Sequence, residues 1–539
     1  MTVGDLNQLE DNSIIDVDLC VVGTGPAGVS IAKEFGGTKT RVLLLESGGL
    51  EEEFPVQALY DIEAAPPRRM NQDILRRRIL CGSSYIWTGR CAPFQTLDFE
   101  ERAWIPNSGW PVTRAEFEPW LAHAGALLGL GPNCYDDETL WPSFRAQRPS
   151  PPLHLLEPMF WQFSKSPGNP RASVDFGRDH LVRWNASNIR LLLHANLTHI
   201  NTNPSGSHFE SAEVRTLGGK RAFVRSKALV LCCGGVENAR LLLASNRRFP
   251  RGVGNRHDTV GRFLMDHTDS VVGCFDPKTT AAVRARFGHY WLDDEKGRHV
   301  YLHGLRLSPE TQKRERLLNC HAYVEAFDAG HDDPWSALDR VKTRLKHRKT
   351  LANIYPDVRT VAAHSGELLK GLYRRRFRHR PQLARLTRVE LHCILEQIPD
   401  PESRLTLSRD KKDALGMPIS KINWKVSEAE RHTARRMTQL ICQELANLGL
   451  PAPKISPWLD DHAAWISNCV EKAHPTGTTR MSDDPKRGVV DRNCQVHDVA
   501  GLYVAGSSVF PTSGAANPTL MIVASALRLA NWLKPRCAA

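Results

Sequence analysis

The sequence predicts an α/β fold, α+β in overall character, built around a parallel sheet. An apolar run of strand type at 17–22 leads into a turn that contains Gly23, Gly25 and Gly28. A stretch with helical spacing follows, and a second strand ends at Glu46. This order of strand, glycine turn, helix and strand is a βαβ unit, in which two parallel strands lie side by side with the helix across them.

The distribution of these signals predicts two domains. A chain of 539 residues is longer than one compact core usually holds. Glycine turns and strand-like runs fill the first half and return in the last 80 residues, whereas the region between mixes short strands with basic helices. We therefore predict a discontinuous Rossmann-type domain over 1–275 and 456–539, and a sheet-based substrate-binding domain over 276–455.

Local patterns predict several individual elements. Thr113 is expected to cap a helix, and Glu237 and Asn238 are expected to cap another. The stretch 150–185 is rich in proline, serine and arginine, and we expect it to be loop. Further expected elements are strands at 191–200 and 222–233 and a closing helix at 520–533.

The composition is that of a globular protein. Hydrophobic residues make up 41% and charged residues 24%, which argues against disorder and against a fibre. There is no run of eighteen apolar residues, and the acidic, polar start lacks the features of a secretory signal, so we expect a cytoplasmic protein. The 13 cysteines have no regular spacing. We expect reduced thiols and no metal site.

The net charge of +12 is concentrated in the basic region 340–388. This region includes Arg374, Arg375, Arg376, Arg378 and Arg380. Such a run is usually a solvated face, but docking on an acidic partner, on an anionic membrane surface or on a phosphorylated substrate is an alternative. No nucleic-acid-binding motif accompanies the charge, so nucleic acid is not an expected partner.

The glycine turn predicts a dinucleotide site. Gly23 permits a tight turn, Gly25 lets a pyrophosphate approach the backbone, and Gly28 lets helix and strand pack closely. The helix N-terminus favours the phosphates. Glu46 is suited to accept hydrogen bonds from both ribose hydroxyls and would repel a 2′-phosphate, which disfavours NADP. The turn alone does not distinguish FAD from NAD.

Several separated stretches of the chain resemble the glucose–methanol–choline (GMC) oxidoreductase family, whose members are FAD enzymes. These stretches are 80–90, 110–117, 234–245, 260–267, 396–404, 474–481, 488–491, 502–511 and 516–519. The resemblance implies a glycine-rich segment with Gly82, Ser83 and Ser84 against the flavin. It also implies further FAD contacts at Gly506, Ser507, Pro518 and Thr519.

The resemblance further implies a catalytic pair, His474 and Asn517. A His–Asn pair resembles the branch that includes pyranose oxidases and related sugar dehydrogenases, which implies an alcohol or sugar substrate. Some family members attach FAD covalently through a histidine, but Ile86 stands at that position, so we expect FAD to be bound without a covalent link. Cys81 stands where glycine is usual, and we expect it to be a small neutral filler.

The residue chemistry suits alcohol oxidation. An ordinary histidine titrates near pH ~6.5, so His474 can remove the hydroxyl proton near neutral pH. Asn517 can orient the substrate oxygen and stabilise its developing negative charge, while the flavin accepts the hydride. His267, in a matching stretch, is expected to support the site. The helix that begins near Thr519 would favour negative charge on the reduced flavin.

Other functions stay open at this point. One is a lyase that keeps FAD but performs no net redox step. Another is a non-catalytic FAD-binding or partner-binding protein, and a third is an NAD-only enzyme. The sequence does not distinguish an oxidase from a dehydrogenase, so the electron acceptor is oxygen, a quinone or a redox protein.

Overall fold

The computed structural model describes residues 1–65, 75–144, 146–169, 171–182, 184–328, 333–346, 355–377 and 386–538. The strands are β1 Thr2–Asp5, β2 Ser13–Asp16, β3 Leu19–Val22, β4 Val42–Leu45, β5 Ile62–Ala64, β6 Arg90–Cys91, β7 Glu157–Phe163, β8 Ile189–Leu193, β9 Asn196–Thr202, β10 Phe209–Arg215, β11 Arg221–Arg225, β12 Ala228–Leu231, β13 Thr268–Phe275, β14 His289–Asp294, β15 Gly297–Arg306, β16 Cys320–Asp328, β17 Leu386–Leu395, β18 Arg404–Lys412, β19 Pro418–Asn423, β20 Lys454–Ile455, β21 Val470–Glu471 and β22 Leu502–Val504. The helices are α1 Pro26–Glu34, α2 Phe54–Gln57, α3 Thr96–Phe99, α4 Glu118–Leu127, α5 Asp137–Ser143, α6 Phe176–His180, α7 Gly234–Ala244, α8 Ala281–Arg286, α9 Pro309–Glu315, α10 Pro334–Lys346, α11 Tyr355–Ala363, α12 Ser365–Phe377, α13 Glu428–Asn447, α14 His462–Asn468 and α15 Thr519–Cys537.

A six-stranded parallel sheet forms the first layer, in the order β1-β8-β4-β3-β12-β22. Every residue of β3, β4, β12 and β22 is buried. A parallel sheet is covered on both faces, so its central strands are continuous apolar runs. Helix α1 connects β3 to β4 and packs against α15. The predicted βαβ unit and the α/β fold are confirmed.

A nine-stranded sheet forms the second large layer, with a main order of β20-β13-β17-β16-β15-β7-β6 and with β14 and β21 at its margins. Strands β6, β7 and β13 come from the chain before residue 276. This sheet therefore extends beyond the predicted substrate-binding segment 276–455. The predicted boundary at 275 separates β13 from the strands with which it pairs, and the domain limits stay a prediction.

Two smaller sheets complete the strand pattern of the described residues. One has the order β2-β11-β10-β9, and the other has the order β18-β19-β5. The predicted strand at 191–200 is two strands, β8 and β9, which belong to different sheets. The predicted strand at 222–233 likewise divides into β11 and β12.

The prediction that 150–185 is loop was wrong, because this stretch contains β7 and α6. Most of the proline and serine residues lie outside β7. The composition of the whole stretch therefore obscured the apolar residues of this strand. Strand β1 was missed because it is short and polar, and it pairs only at the sheet edge with β8.

Helix starts were predicted with mixed success. Thr113 forms a reciprocal capping box with Glu116, as expected. Helix α7 begins at Gly234, so Glu237 and Asn238 lie in its first turn and are not its N-cap. The Asn238 side chain still accepts a hydrogen bond from the backbone N–H of Cys233 at 2.8 Å. The closing helix is longer than expected, at Thr519–Cys537.

The basic region 340–388 contributes helices α10 to α12, whose outer faces are described only in part. Arg340 pairs with Asp357 at 2.7 Å. Arg378, Arg380 and the side chains of Arg374, Arg375 and Arg376 lie outside the described part of the structure. Among the described helices, none combines the length with the apolar character that crossing a bilayer requires.

A fully buried ion pair connects the segment before α4 with the nine-stranded sheet. The Arg102 guanidinium donates to both oxygens of Glu396, at 2.8 and 2.5 Å, and the two side chains are 1% and 0% exposed. Glu396 also accepts from the backbone N–H of Asn319 at 3.0 Å. The pair is thus a fixed connection between segments that are 294 residues apart.

We expect Arg102→Met to lower the free energy of unfolding by about 3–5 kcal/mol, because it leaves the Glu396 carboxylate buried without its cation. Denaturant unfolding measures the loss. The double variant with Glu396→Gln should recover part of it, since glutamine keeps an acceptor for Asn319. In contrast, Arg492→Met breaks the half-exposed pair with Asp483 and should cost about 1 kcal/mol or less. Equal losses at both pairs would contradict this account.

Candidate active site

A cavity of about 510 Å³ lies at the carboxyl ends of β3, β4, β12 and β22. This is the edge at which ligands bind in parallel α/β sheets. The predicted site residues that line it are Gly23, Gly25, Glu46, Gly82, Ser83, Ser84, His474, Gly506, Ser507, Asn517, Pro518 and Thr519. The cavity wall therefore brings together every predicted site residue except Gly28.

Gly23 and Gly28 shape the turn between β3 and α1. Gly23 has φ +104°, and a Cβ there would lie 2.6 Å from the carbonyl oxygen of Cys232. A Cβ on Gly28 would lie 1.9 Å from the carbonyl oxygen of Gly23. Only glycine allows the turn and the helix to approach this closely. Gly28 acts through packing, which explains why it does not line the cavity.

Gly25, Gly234 and Gly506 leave space that a side chain would fill. A Cβ on Gly25 would meet only the Cys81 carbonyl oxygen, at 3.9 Å, and a Cβ on Gly234 or Gly506 would meet nothing within 4 Å. All three residues line the cavity. Helices α1 and α7 begin there as well, so their unpaired N–H groups lie at its edge. This open, donor-rich wall fits the diphosphate of a dinucleotide.

Glu46 is buried beside the turn, and its carboxylate is engaged by the protein itself. Its Oε2 accepts from the Thr24 backbone N–H at 3.2 Å and from the Thr24 hydroxyl. Its Oε1 accepts from Gly48 N–H at 2.9 Å and from the Ser47 hydroxyl at 3.2 Å. Burial raises the pKa of Glu46 despite these four donors. A ribose hydroxyl would have to share or replace one of these bonds, and the freely rotating Ser47 hydroxyl is the easiest to replace.

An ion-pair cluster on the cavity wall was missed by the sequence analysis. Glu237 accepts from Arg76 at 3.4 Å, Arg78 at 3.0 Å and Arg240 at 3.2 Å. The guanidinium groups of Arg76 and Arg78 both lie 4.3 Å from the centre of the Tyr60 ring. Burial raises the pKa of Glu237, but the three arginines outweigh it and hold the pKa below its ordinary value.

His474 is held in place by backbone pairing with a distant segment. Met265 N–H donates to the Thr476 carbonyl at 3.1 Å, and Thr476 N–H donates to the Met265 carbonyl at 2.9 Å. The backbone N–H of His474 donates to Asp266 Oδ1 at 2.9 Å. This register brings Nδ1 of His267 to 3.0 Å from Nδ1 of His474. The predicted supporting histidine is therefore in direct contact with the predicted catalytic one.

The bonds of His267 define the protonation of both rings. Its Nε2 lies 3.1 and 2.9 Å from the carbonyl oxygens of Ser513 and Gly514, which only accept, so this nitrogen carries the proton. Burial lowers the pKa of His267, which keeps the ring neutral. Its Nδ1 is then an acceptor, so His474 must donate from Nδ1. The Nε2 of His474 is left as an unprotonated lone pair.

The surroundings of His474 favour this neutral form. Burial lowers its pKa well below the ordinary value, and Lys472 and Arg90 lower it further. Lys472 and Arg90 line the same cavity as His474. Among the described residues, the ring makes one side-chain hydrogen bond, at Nδ1. Its Nε2 is thus available as a base.

Asn517 occupies the same wall, directly before the start of α15. Its Oδ1 is buried and has no hydrogen-bond partner among the described residues. A buried amide oxygen without a donor costs free energy, on the order of 1–3 kcal/mol. A ligand with a hydroxyl or N–H group at this position would satisfy it. The orphaned oxygen is therefore evidence that the cavity receives a polar ligand.

Comparison with known proteins gives a match to one family model over part of the chain. Residues 399–526 match the GMC oxidoreductase family model. The fructose dehydrogenase large subunit of Gluconobacter japonicus is 27% identical over 312 residues, which cover 57% of this chain and 47% of that protein. The chain thus spans about half the length of this relative in the match. The family model matches the C-terminal part of the chain and relates it to GMC oxidoreductases.

Matches of full length exist as well. The 2-methyl-1,2-propanediol dehydrogenase of Mycolicibacterium austroafricanum is 22% identical, and the alignment covers 96% of this chain and 95% of that protein. The crystal structure of a formate oxidase superposes with a TM-score of 0.58 at 18% identity, covering 98% of this chain and 99% of the other. The predicted GMC resemblance and fold are confirmed. The matched relatives are dehydrogenases and oxidases, which supports an FAD-dependent oxidoreductase.

Two signals in the sequence were available for the residues that were missed. The run Arg76-Arg77-Arg78 is visible in the sequence, and Glu237 lies within a family-like stretch but was interpreted as a cap. No local pattern pairs them, because they are about 160 residues apart. Arg90, Tyr323 and Lys472 also line the cavity. They were missed because three separate elements carry them.

Gly25→Val is expected to abolish FAD binding while the protein stays folded. Gly25 has φ −70° and ψ −176°, which any residue adopts, and its Cβ position is free of protein clashes. The valine side chain would therefore fill only the cofactor space. The purified variant should be colourless, with the circular dichroism spectrum of the wild-type apoprotein.

The matched control is Gly366→Val on the exposed face of α12, where a Cβ also meets nothing within 4 Å. This control should keep the yellow colour. Wild-type FAD occupancy in Gly25→Val would contradict the assignment of this wall to the cofactor.

Proposed function

We propose that this protein uses FAD to oxidise an alcohol group on a sugar or sugar-like substrate, with His474 as the base and Asn517 as the orienting residue. Alcohol oxidation in general is supported by the likeness of the chain to GMC oxidoreductases. The observation that carries the mechanism is the bonding of His474: its Nδ1 is engaged by His267, and its Nε2 is left free on the wall of the FAD cavity.

The chain supplies proton transfer and orientation. Nε2 of neutral His474 takes the hydroxyl proton, and the resulting imidazolium keeps its Nδ1 proton on the contact with His267. The Asn517 amide binds the same oxygen or its neighbour and fixes which hydrogen faces the cofactor. Bound FAD supplies the two-electron acceptor for the hydride. Nearby Arg90 and Lys472 favour the negative charge that develops on the substrate oxygen.

FAD is held by the glycine wall and by helices α1 and α7 in this proposal, with Glu46 near the ribose. Ile86 lines the cavity at the position where some relatives carry the linking histidine. Its side chain has no nucleophilic atom, which supports non-covalent binding. The segment with Gly82, Ser83 and Ser84 and the segment with Gly506 and Ser507 line the same cavity.

The sugar-like substrate is supported by the similarity to the fructose dehydrogenase large subunit and by the polar side chains of Arg90, Lys472 and Asn517 on the cavity wall. The electron acceptor, whether oxygen, a quinone or a redox protein, stays open in this proposal. A cytoplasmic location stays a prediction, as does docking of the basic region 340–388 on a membrane surface.

We expect His474→Ala to slow flavin reduction by about 10²–10⁴-fold, which is what a positioned base contributes. Anaerobic stopped-flow mixing with a panel of alcohols and sugars measures the loss of flavin absorbance. FAD content should be unchanged, because His474 contacts the substrate side of the cavity. Normal reduction kinetics in the variant would remove His474 from the mechanism, and product without flavin reduction would indicate a lyase.

The wild-type reduction rate is expected to stay constant from pH 8 to pH 6.5. The base form of His474 dominates above its pKa, and that pKa lies well below the ordinary value. The rate should therefore fall only at more acidic pH. An acid limb centred at or above pH ~6.5, the ordinary histidine value, would contradict the proposed environment of the ring.

His267→Phe is expected to slow flavin reduction and to move the acid limb to lower pH. The substitution removes the acceptor that fixes the His474 tautomer and that stabilises the Nδ1 proton of the imidazolium form. His267→Gln should restore part of the rate, because its amide can accept from Nδ1 of His474. A slower rate with an unshifted pH profile would show that His267 is only structural.

A further inference from the structure

Arg90 is a cation on the cavity wall that the proposed mechanism uses only through its positive charge. It lies in β6, at the edge of the nine-stranded sheet, and it lines the cavity with Tyr323 and His474. Its guanidinium carbon is 4.3 Å from the centre of the Tyr323 ring. The rings of Trp161 and Phe163 are each 5.9 Å away.

No carboxylate of the described residues lies within ion-pairing distance of the Arg90 guanidinium. Its Nε is buried and has no hydrogen-bond acceptor in that part of the chain. Arg240 on the cofactor side of the cavity shows the usual arrangement, since it pairs with both Glu237 and Asp413. A guanidinium that is partly removed from water and lacks an anion is unusual, because desolvating a charge is costly.

The acids around Tyr323 already face other cations. Asp269 accepts from Lys472, from His392 Nδ1 at 3.2 Å and from the Tyr323 hydroxyl at 3.3 Å. Burial raises the pKa of Asp269, but His392 and Lys472 outweigh it and hold the carboxyl ionised. Lys472 and His392 therefore neutralise the charge of Asp269, which does not compensate Arg90.

The remaining acids, Glu325 and Glu390, face His392. Its Nε2 lies 3.5 Å from Glu325 and 3.2 Å from Glu390, which also pairs with Arg388 at 2.9 Å. Burial lowers the pKa of His392, but Asp269 and Glu325 raise it above its ordinary value. Glu390 thus has Arg388 as a cation of its own, and Glu325 shares His392 with the other two acids.

Stacking between Arg90, Tyr323 and His392 holds this part of the cavity wall in place. The Tyr323 ring is stacked on His392, with 4.9 Å between centroids and 18° between planes. Arg90 lies over the same Tyr323 ring. A guanidinium that is fixed by stacking loses little freedom when it binds a planar anion, and its paired N–H groups match a carboxylate.

We propose that Arg90 binds a carboxylate of the substrate, so that the substrate is a hydroxyl-bearing carboxylic acid such as a sugar acid. This inference rests on the proposed function, because it assumes that the cavity beside His474 receives the alcohol. The substrate carboxylate supplies the anion that Arg90 lacks. A neutral sugar hydroxyl can accept a hydrogen bond from Arg90 but leaves the charge uncompensated, so the acid is preferred over its neutral counterpart.

Binding to the FAD-loaded protein tests the proposal without turnover. The probes are cyclohexanecarboxylate and its neutral counterpart, cyclohexanecarboxamide, titrated at pH 7 with calorimetry. The carboxylate should bind about 10- to 100-fold more tightly than the amide, as expected for a charge-assisted pair. Arg90→Gln should abolish this preference, and Arg90→Lys should keep only part of it, because lysine lacks the planar fork.

Arg298→Gln is the matched control. Arg298 is also 4.3 Å from an aromatic ring, that of Trp291, but it belongs to the β14–β15 hairpin and does not line the cavity. This variant should keep the preference for the carboxylate. Equal affinity of the wild-type protein for acid and amide would overturn the proposal, even if Arg90→Gln failed to fold. So would a preference that survives in Arg90→Gln.

Anaerobic flavin reduction separates the substrate class from the function itself. Gluconate and galacturonate are compared with glucose and galactose. Faster reduction by the acids, lost in Arg90→Gln, supports the proposal. Reduction by the neutral sugars alone overturns the role of Arg90 and leaves the proposed function intact. If neither these compounds nor a wider panel of alcohols reduces the flavin, the proposed function fails, whereas the binding measurement still decides whether Arg90 is an anion site.

Discussion

Two backbone hydrogen bonds between Met265 and Thr476 are the constraint on which the site depends. They join the segment that enters β13 to the segment that follows β21, 211 residues later in the chain. Their register places His267 opposite His474 and leaves one imidazole nitrogen free. A shift of one residue would separate the rings, because neighbouring residues of an extended chain point to opposite sides. The chemistry therefore depends on backbone geometry as much as on side-chain identity.

The same segment is also attached to the parallel sheet. The Ser507 hydroxyl donates to the Pro475 carbonyl at 2.7 Å, and the Thr478 hydroxyl donates to the Gly235 carbonyl at 2.6 Å. These bonds connect the His474 segment with the loop after β22 and with the start of α7. A single cavity can thus contain both the glycine wall that fits a diphosphate and His474, the proposed base. The nine-stranded sheet adds Arg90 and Tyr323 to the opposite wall.

The sequence predicted the parts of this arrangement that local rules determine. The βαβ unit was predictable because the Gly23–Gly25–Gly28 spacing has a steric reason at each position. Thr113 was recognisable as a cap because its partner Glu116 is three residues away. The family-like stretches at the C-terminal end implied His474 and Asn517, and the structure places both on one cavity wall, although their roles remain proposals.

Long-range pairing was not predictable in the same way. Neither the Glu237 cluster nor the unpaired state of Arg90 has a local signature, because each depends on which distant acids the fold brings near. The full engagement of Glu46 by Thr24, Ser47 and Gly48 was missed for a different reason. Glu46 was interpreted as a partner of the ribose hydroxyls, but the hydrogen-bond donors of its own turn were not considered. The nine-stranded sheet exceeded the predicted segment because β6 and β7 reach it from far upstream.

The proposed mechanism depends most on where the flavin ring lies relative to His474 and Asn517. A crystal structure of the FAD-bound protein measures this position directly. The account predicts that Nε2 of His474 and the amide of Asn517 lie on the same face of the isoalloxazine ring, within hydrogen-bonding reach of one shared site above N5. A ring bound elsewhere in the cavity, or a His474 whose Nε2 is turned away from that site, would contradict it.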